Sequence, residues 1–148
     1  MTHDNPSVDP QPTEHATTGP TIAEDVLLLL FQCASGTIAG EGTLFYVLGG
    51  AVLAELAMRD LVGVEDAGLL GKVVSTIGET APDDALLSAT WTFLDPKPRG
   101  VQTVLAATGP HLRAPLLDRL VERGDLQRER GRVLGILPTE KLTEGDTG

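Results

Sequence analysis

Apolar positions crowd most densely in GTLFYVLGGAVLAELAMRD, residues 42 to 60, where thirteen uncharged residues, 42 to 54, precede Glu55. A helix that crosses a bilayer needs about 20 apolar residues, so this run is too short. Lengthening it to Asp60 would bury Glu55 and Arg59, at about 2.5 to 3.5 kcal/mol for a charged side chain at the helix centre. The pattern therefore predicts the buried helix of a soluble domain. Gly49 and Gly50 in its middle each lose about 1 kcal/mol relative to Ala, which predicts another backbone packed close against them. Glu55 and Arg59, four apart in the favourable order, are expected on one exposed stripe.

Upstream, Thr21 and Glu24 have capping-box spacing and the apolar run Val26 to Phe31 follows, so a first helix is expected from Thr21 to about Gly36. SGTIAGEGT (35–43) then reads as a flexible glycine-rich loop between two helices. It has neither GxGxxG nor a Lys-Ser or Lys-Thr pair, which excludes a recognisable phosphate-cradling loop. Downstream, DLVGVED and GKVVSTIGET are Val-rich runs broken by EDAG and predict a β-hairpin. Pro82, Asp83 and Asp84 suit the first turn of a helix in APDDALLSATWTFL, where Trp91, at helical spacing from Leu87 and Leu94, is assigned to the core. After the break DPKPRG, VQTVLAATGPHLRAPLLDRLVERGDL predicts one or two helices, interrupted at Gly109 and Pro110 and ended by Gly124. QRERGRVLGILP (127–138) alternates around Arg130 and Gly131 and predicts a second hairpin. The expected fold class is mainly α: a helical domain over residues 21–138 with short β-hairpins. A disordered tail (1–20) would precede it and a frayed, disordered acidic end, TEKLTEGDTG (139–148), would follow.

Composition narrows the function. At 148 residues with 41% hydrophobic content the chain makes one domain with a core. The lone Cys33 allows no internal disulfide, fits a reducing compartment, and is expected to be a small apolar residue at a helix end. The proline-rich tail has neither the basic start and apolar core of a secretory signal nor the arginines of a mitochondrial presequence, so a cytoplasmic protein is expected. The net charge is −10, but seven of the eight arginines fall between residues 99 and 132: Arg99, Arg113, Arg119, Arg123, Arg128, Arg130 and Arg132. Against Asp118, Glu122, Asp125 and Glu129 they give a local +3, which leaves −13 for the rest.

These features define three readings. Arginines on an acidic protein can attract an anionic membrane at about 1 kcal/mol per basic residue near the surface. Arg128, Arg130 and Arg132, spaced by two, would share one hairpin face, with Leu134 and Ile136 adding apolar contact. That arrangement suits a non-catalytic peripheral adaptor. Alternatively, APLLDRLVERG followed by RERGRV has the helix, Gly, hairpin order that ends a winged-helix domain, a protein- or DNA-interaction module, but the flanking −13 would repel a phosphate backbone and no nucleic-acid partner is expected. An enzyme needs a cluster of proton-exchanging or attacking groups. His3 and His15 lie in the tail, His111 stands alone, and no catalytic residue, metal ligand set or cofactor is expected.

In this order, TIAEDVLLLLF, GGAVLAELAMRDLV, a Val-rich hairpin and LLDRLVERGDLQRERGRVLGILP together resemble the Golgi phosphoprotein 3 family, in a bacterial, actinobacterial-type branch. AELAMR (54–59) and LVERGDL (120–126) are the most specific motifs, and the resemblance runs from Thr21 to Pro138. It implies a mostly helical domain that continues through several more helices, before which this sequence stops. Eukaryotic members are peripheral adaptors that bind phosphatidylinositol 4-phosphate and hold glycosyltransferases through their cytoplasmic tails. With the two motifs as anchors, the headgroup-binding tryptophan and three arginines of the family fall on Gly40, Gly49, Pro110 and Arg113. Only Arg113 keeps its type, so it alone is the implied lipid headgroup contact. The resemblance also implies dimerisation and membrane contact through a hairpin at about Glu129 to Glu140. The expected partners are anionic lipid or phosphoinositide, a protein tail, and a second copy of the chain.

Overall fold

Thr21 caps α1 (Ile22–Leu30). Its hydroxyl accepts from the Glu24 amide at 3.3 Å while the Glu24 carboxylate accepts from the Thr21 amide at 2.8 Å, the reciprocal box that its spacing predicts. The computed structural model describes residues 19–133 and 137–145, with the backbone alone over 129–133 and 137–141. Residues 1–18 of the expected tail and 146–148 of the expected end therefore lie outside the described residues.

Helix α1 stops at Leu30, six residues before the expected Gly36. Phe31 turns extended, and β1 (Phe31–Gln32) pairs with β2 (Thr37–Ile38) around Gly36, which takes a left-handed φ of 67°. Pairing buries Phe31 and Ile38 together, so half of the expected flexible loop is a small hairpin. Cys33 sits exposed in its turn, not as the small apolar residue at a helix end that was expected.

A 3₁₀ turn, Glu41–Thr43, leads into α2 (Leu44–Met58), the central helix, which touches α1, α3, α4 and α5. With that turn, Glu41–Met58 is 18 residues long with mean hydropathy 1.3, so by length and composition it can cross a membrane, which the uncharged run alone cannot. Within this fold it is a core helix: Leu44, Leu48, Val52 and Leu56 are buried among the other helices. Glu55 is also buried, at 6% exposure, and not on an exposed stripe. Its carboxylate accepts from the Ile22 amide at 2.8 Å and pairs with Arg59, so α2 supplies a second cap to α1. Of the two glycines, only Gly49 meets another backbone. A Cβ there would lie 3.6 Å from the Gly109 Cα, whereas one on Gly50 would meet nothing within 4 Å.

The two motif stretches turn out to be one structural device used twice. At the end of α2, Asp60 adopts φ 56°, the Leu61 amide donates to the Leu56 carbonyl at 2.9 Å and the Asp60 amide to Ala57 at 3.0 Å. After α5 (Arg113–Glu122), Gly124 adopts φ 83°, with Asp125 donating to Leu120 at 2.9 Å and Gly124 to Val121 at 3.0 Å. Each is a left-handed helix cap that leads straight into a hairpin. The first hairpin is β3 (Val62–Asp66) with β4 (Lys72–Thr76), joined through the 3₁₀ turn Gly68–Leu70, and it lies where expected. Strand β5 (Arg99–Gly100) extends it to a three-stranded sheet in the order β3-β4-β5.

Asp84 caps α3 (Ala85–Leu94) by accepting from the Leu86 and Leu87 amides at 2.9 and 3.1 Å. Trp91 is buried as expected, and its indole donates to the Leu61 carbonyl at 3.1 Å. Helix α4 (Val101–Thr108), a 3₁₀ turn at Gly109–His111 and α5 resolve the long apolar stretch into two helices broken at the predicted place.

The second hairpin is longer than its sequence suggests. Strand β6 (Leu126–Val133) pairs with β7 (Leu137–Glu144) from Leu126↔Glu144 to Val133↔Leu137. The chain reverses after Val133, not at Arg130 and Gly131, and most of the supposed frayed end is a strand through Glu144. Leu142 explains this, because it packs against the core opposite Arg128 and anchors the polar strand. The architecture is mainly α, five helices with short antiparallel hairpins among the described residues.

Candidate functional site

Gly40, Gly49, Pro110 and Arg113 lie along one seam, where the start of α2 meets the turn before α5. Closeness of the backbones makes the seam: a Cβ on Gly109 would lie 2.3 Å from the Phe45 carbonyl oxygen, so only glycine fits there. Arg113 occupies the first turn of α5 and pairs with Glu41, which directly follows Gly40. Both side chains are about half exposed, at 45% and 50%. The seam thus holds one cation already matched by one anion. Phosphate recognition draws on several charge-assisted hydrogen bonds, and here an incoming phosphate would compete with Glu41 for one arginine.

The other arginines with described side chains are also engaged. Arg119 grips Asp84 in a bidentate pair, at 2.7 and 3.2 Å, and lies 3.6 Å from Glu24. Arg123 reaches Glu24 at 3.4 Å and Asp125 at 2.8 Å through Nε. These residues tie the starts of α1 and α3 to α5. Burial pushes the Asp84 carboxyl up, but the Arg119 hydrogen bonds and charge, with the Leu87 and Leu86 amides, outweigh it and hold the group below its ordinary value. For Arg119, burial works against its charge, yet Asp84 and Glu24 raise its affinity for the proton overall. Arg99 donates to the Phe93 carbonyl at 3.0 Å and stacks over the Phe93 ring at 4.2 Å. Arg128 pairs with Asp118 of α5 at 2.6 Å.

The expected row of three cations on the hairpin is therefore only partly visible. Arg128 turns back onto α5. Arg130 and Arg132 follow it at alternate positions of β6, opposite Glu140 and Pro138. Leu134 lies outside the described residues.

Two surface features were not anticipated. An apolar cleft of about 290 Å³ opens between α3, α4 and the Gly109–His111 turn, lined by residues that include Leu86, Phe93 and Ala107, with His111 at its edge. The Thr108 hydroxyl there donates to the Val104 carbonyl at 2.8 Å, and the lining, which also includes Thr90, holds no carboxylate. The second feature is the turn of the β3–β4 hairpin, where Leu69 and Leu70 are 107% and 80% exposed. Its signal was available in the sequence, since GLLG places two large apolar residues inside a turn. Among the described residues, no group of three or more His, Cys, Asp or Glu is placed to hold a metal ion, and no buried side-chain polar atom lacks a partner.

A mainly helical domain whose two helix-to-hairpin junctions carry its motifs is the class this fold defines. The family model of Golgi phosphoprotein 3 (GPP34) matches residues 22–148, and the chain belongs to that family. The match takes in β7, beyond the Pro138 at which the resemblance was expected to end. No curated protein matches the chain.

Proposed function

We propose that the protein is a non-catalytic, cytoplasmic peripheral adaptor that touches membranes without selecting phosphatidylinositol 4-phosphate. The observation that carries this reading is the Arg113–Glu41 pair. It lies on the seam onto which the family resemblance maps the headgroup pocket, and there one shared cation stands in place of a tryptophan and three arginines. Family membership supports the adaptor part, and the chain's net charge of −10 suits a basic or amphipathic protein tail as the cargo. The β6–β7 hairpin is the element through which a second copy would add. For the alternative, a winged-helix module, the polar side of α5 carries the exposed Asp118 and Glu122, while Arg119 and Arg123 turn toward Glu24; that charge pattern disfavours nucleic acid.

Vesicle flotation tests the proposal. Neutral, generic anionic and phosphatidylinositol 4-phosphate vesicles of matched charge are compared at two salt concentrations. The expected result is weak binding with no advantage for the phosphoinositide. Selective binding that disappears in Arg113→Ala would overturn it.

A further inference from the structure

With its described arginines paired or stacked, the protein needs another way to hold a membrane, and the turn of the β3–β4 hairpin offers one. We infer that Leu69 and Leu70 at this turn are the membrane-contacting residues, entering the boundary between headgroups and acyl chains, with Lys72 behind them at the level of the lipid phosphates. This inference rests on the peripheral-membrane reading above.

Three observations carry it. First, the leucines are held outward. The Ala67 amide donates to the Gly71 carbonyl at 2.8 Å, Leu70 to Ala67 at 3.3 Å and Gly71 to Gly68 at 3.0 Å, and Gly68 and Gly71 take the left-handed φ of 62° and 70° that this tight turn needs. With the Gly68 amide on Asp66, these bonds occupy the amides of Ala67, Gly68, Leu70 and Gly71 within the turn, which lowers the cost of taking its backbone out of water. Second, Lys72 is exposed at the foot of the turn opposite Asp66, whose carboxylate accepts from the Gly68 amide at 3.0 Å, and with Glu65 also exposed beside it the leucines, not the local net charge, supply the attraction. Third, the shape suits lipid better than protein. Two leucines on a projecting turn offer roughly a few hundred Å², against about 800 Å² per side in a stable protein interface. A lipid surface needs only a small apolar wedge to be held transiently.

The test is flotation of the full chain with neutral phosphatidylcholine vesicles and with vesicles containing anionic phosphatidylserine. Leu69→Ser with Leu70→Ser should lower partitioning about tenfold or more, since each leucine loses much of its burial in lipid. Lys72→Gln should weaken binding only to anionic vesicles at low salt. A Leu69→Trp variant should be quenched by brominated acyl chains while the core Trp91 is not. If the wild type floats and the double serine variant floats equally, the inference falls and the adaptor reading stands. If the wild type binds no vesicle, both fall. Loss of self-association without loss of flotation would assign the turn to a second copy and likewise overturn the inference.

Discussion

Three glycines in the centre of the fold look alike in the sequence and carry different constraints. Gly109 faces the Phe45 carbonyl so closely that a methyl group cannot enter, and Gly109→Ala should cost about 2 kcal/mol or more. Gly49 meets Leu105 Cδ2 at 3.1 Å, a flexible chain end that can yield. Gly50 meets nothing, so Gly50→Ala should stabilise α2 by about 0.5 to 1 kcal/mol. Urea unfolding of the two alanine variants checks both signs. Cys33 gives a second residue-level prediction. The neighbouring Glu144 carboxylate, by accepting from the thiol and by its charge, holds the Cys33 thiol above the ordinary value. Alkylation at neutral pH should therefore be slow, and Glu144→Gln should speed it, because the thiolate is the reactive form. The sequence could not place Cys33, since its exposure follows from where α1 stops, and that depends on Phe31 finding Ile38 seven residues later.

Among the elements, those with local causes were legible. The Thr21 box, the β3–β4 hairpin, the break at Gly109 and Pro110 and the stop at Gly124 are all set by neighbours within a few residues. Elements that depend on distant partners were not. Strand β7 is polar in TEKLTE and reads as an end until Leu142 is placed on the core and the strand on β6. Glu55 reads as surface charge until α1 brings the Ile22 amide to it. The Asp84–Arg119 pair belongs here too, joining α3 to α5 across 35 positions. Because Asp84 titrates below its ordinary value when folded, its stabilisation is present at neutral pH and lost as pH falls through the folded value, below about 4. Asp84→Asn keeps a capping side chain but loses the ion pair. It should cost about 1 to 2 kcal/mol at pH 7, and less at pH 3, by denaturant unfolding at the two pH values.

At the scale of the whole molecule, the arginine cluster changes meaning once its partners are in place. As a sequence pattern it is a local +3 on an acidic chain; in the fold Arg119 and Arg123 fasten α1 and α3 to α5 through Glu24 and Asp84, and Arg128 ties β6 to α5 through Asp118. Of the residues proposed from sequence, Arg113 pairs with Glu41 and Arg128 is drawn onto α5, while the exposed leucines of the β3–β4 turn went unremarked because turns are ordinarily read as polar. Glu41 answers Arg113 at the position to which the family resemblance assigns a headgroup contact. The most direct measurement is the ratio of partition coefficients into phosphatidylinositol 4-phosphate and phosphatidylserine vesicles of equal charge, for the wild type, Arg113→Ala and Glu41→Ala. A ratio near one for all three, with Glu41→Ala binding both vesicles more tightly, is predicted. A wild-type ratio well above one that collapses in Arg113→Ala would contradict the account.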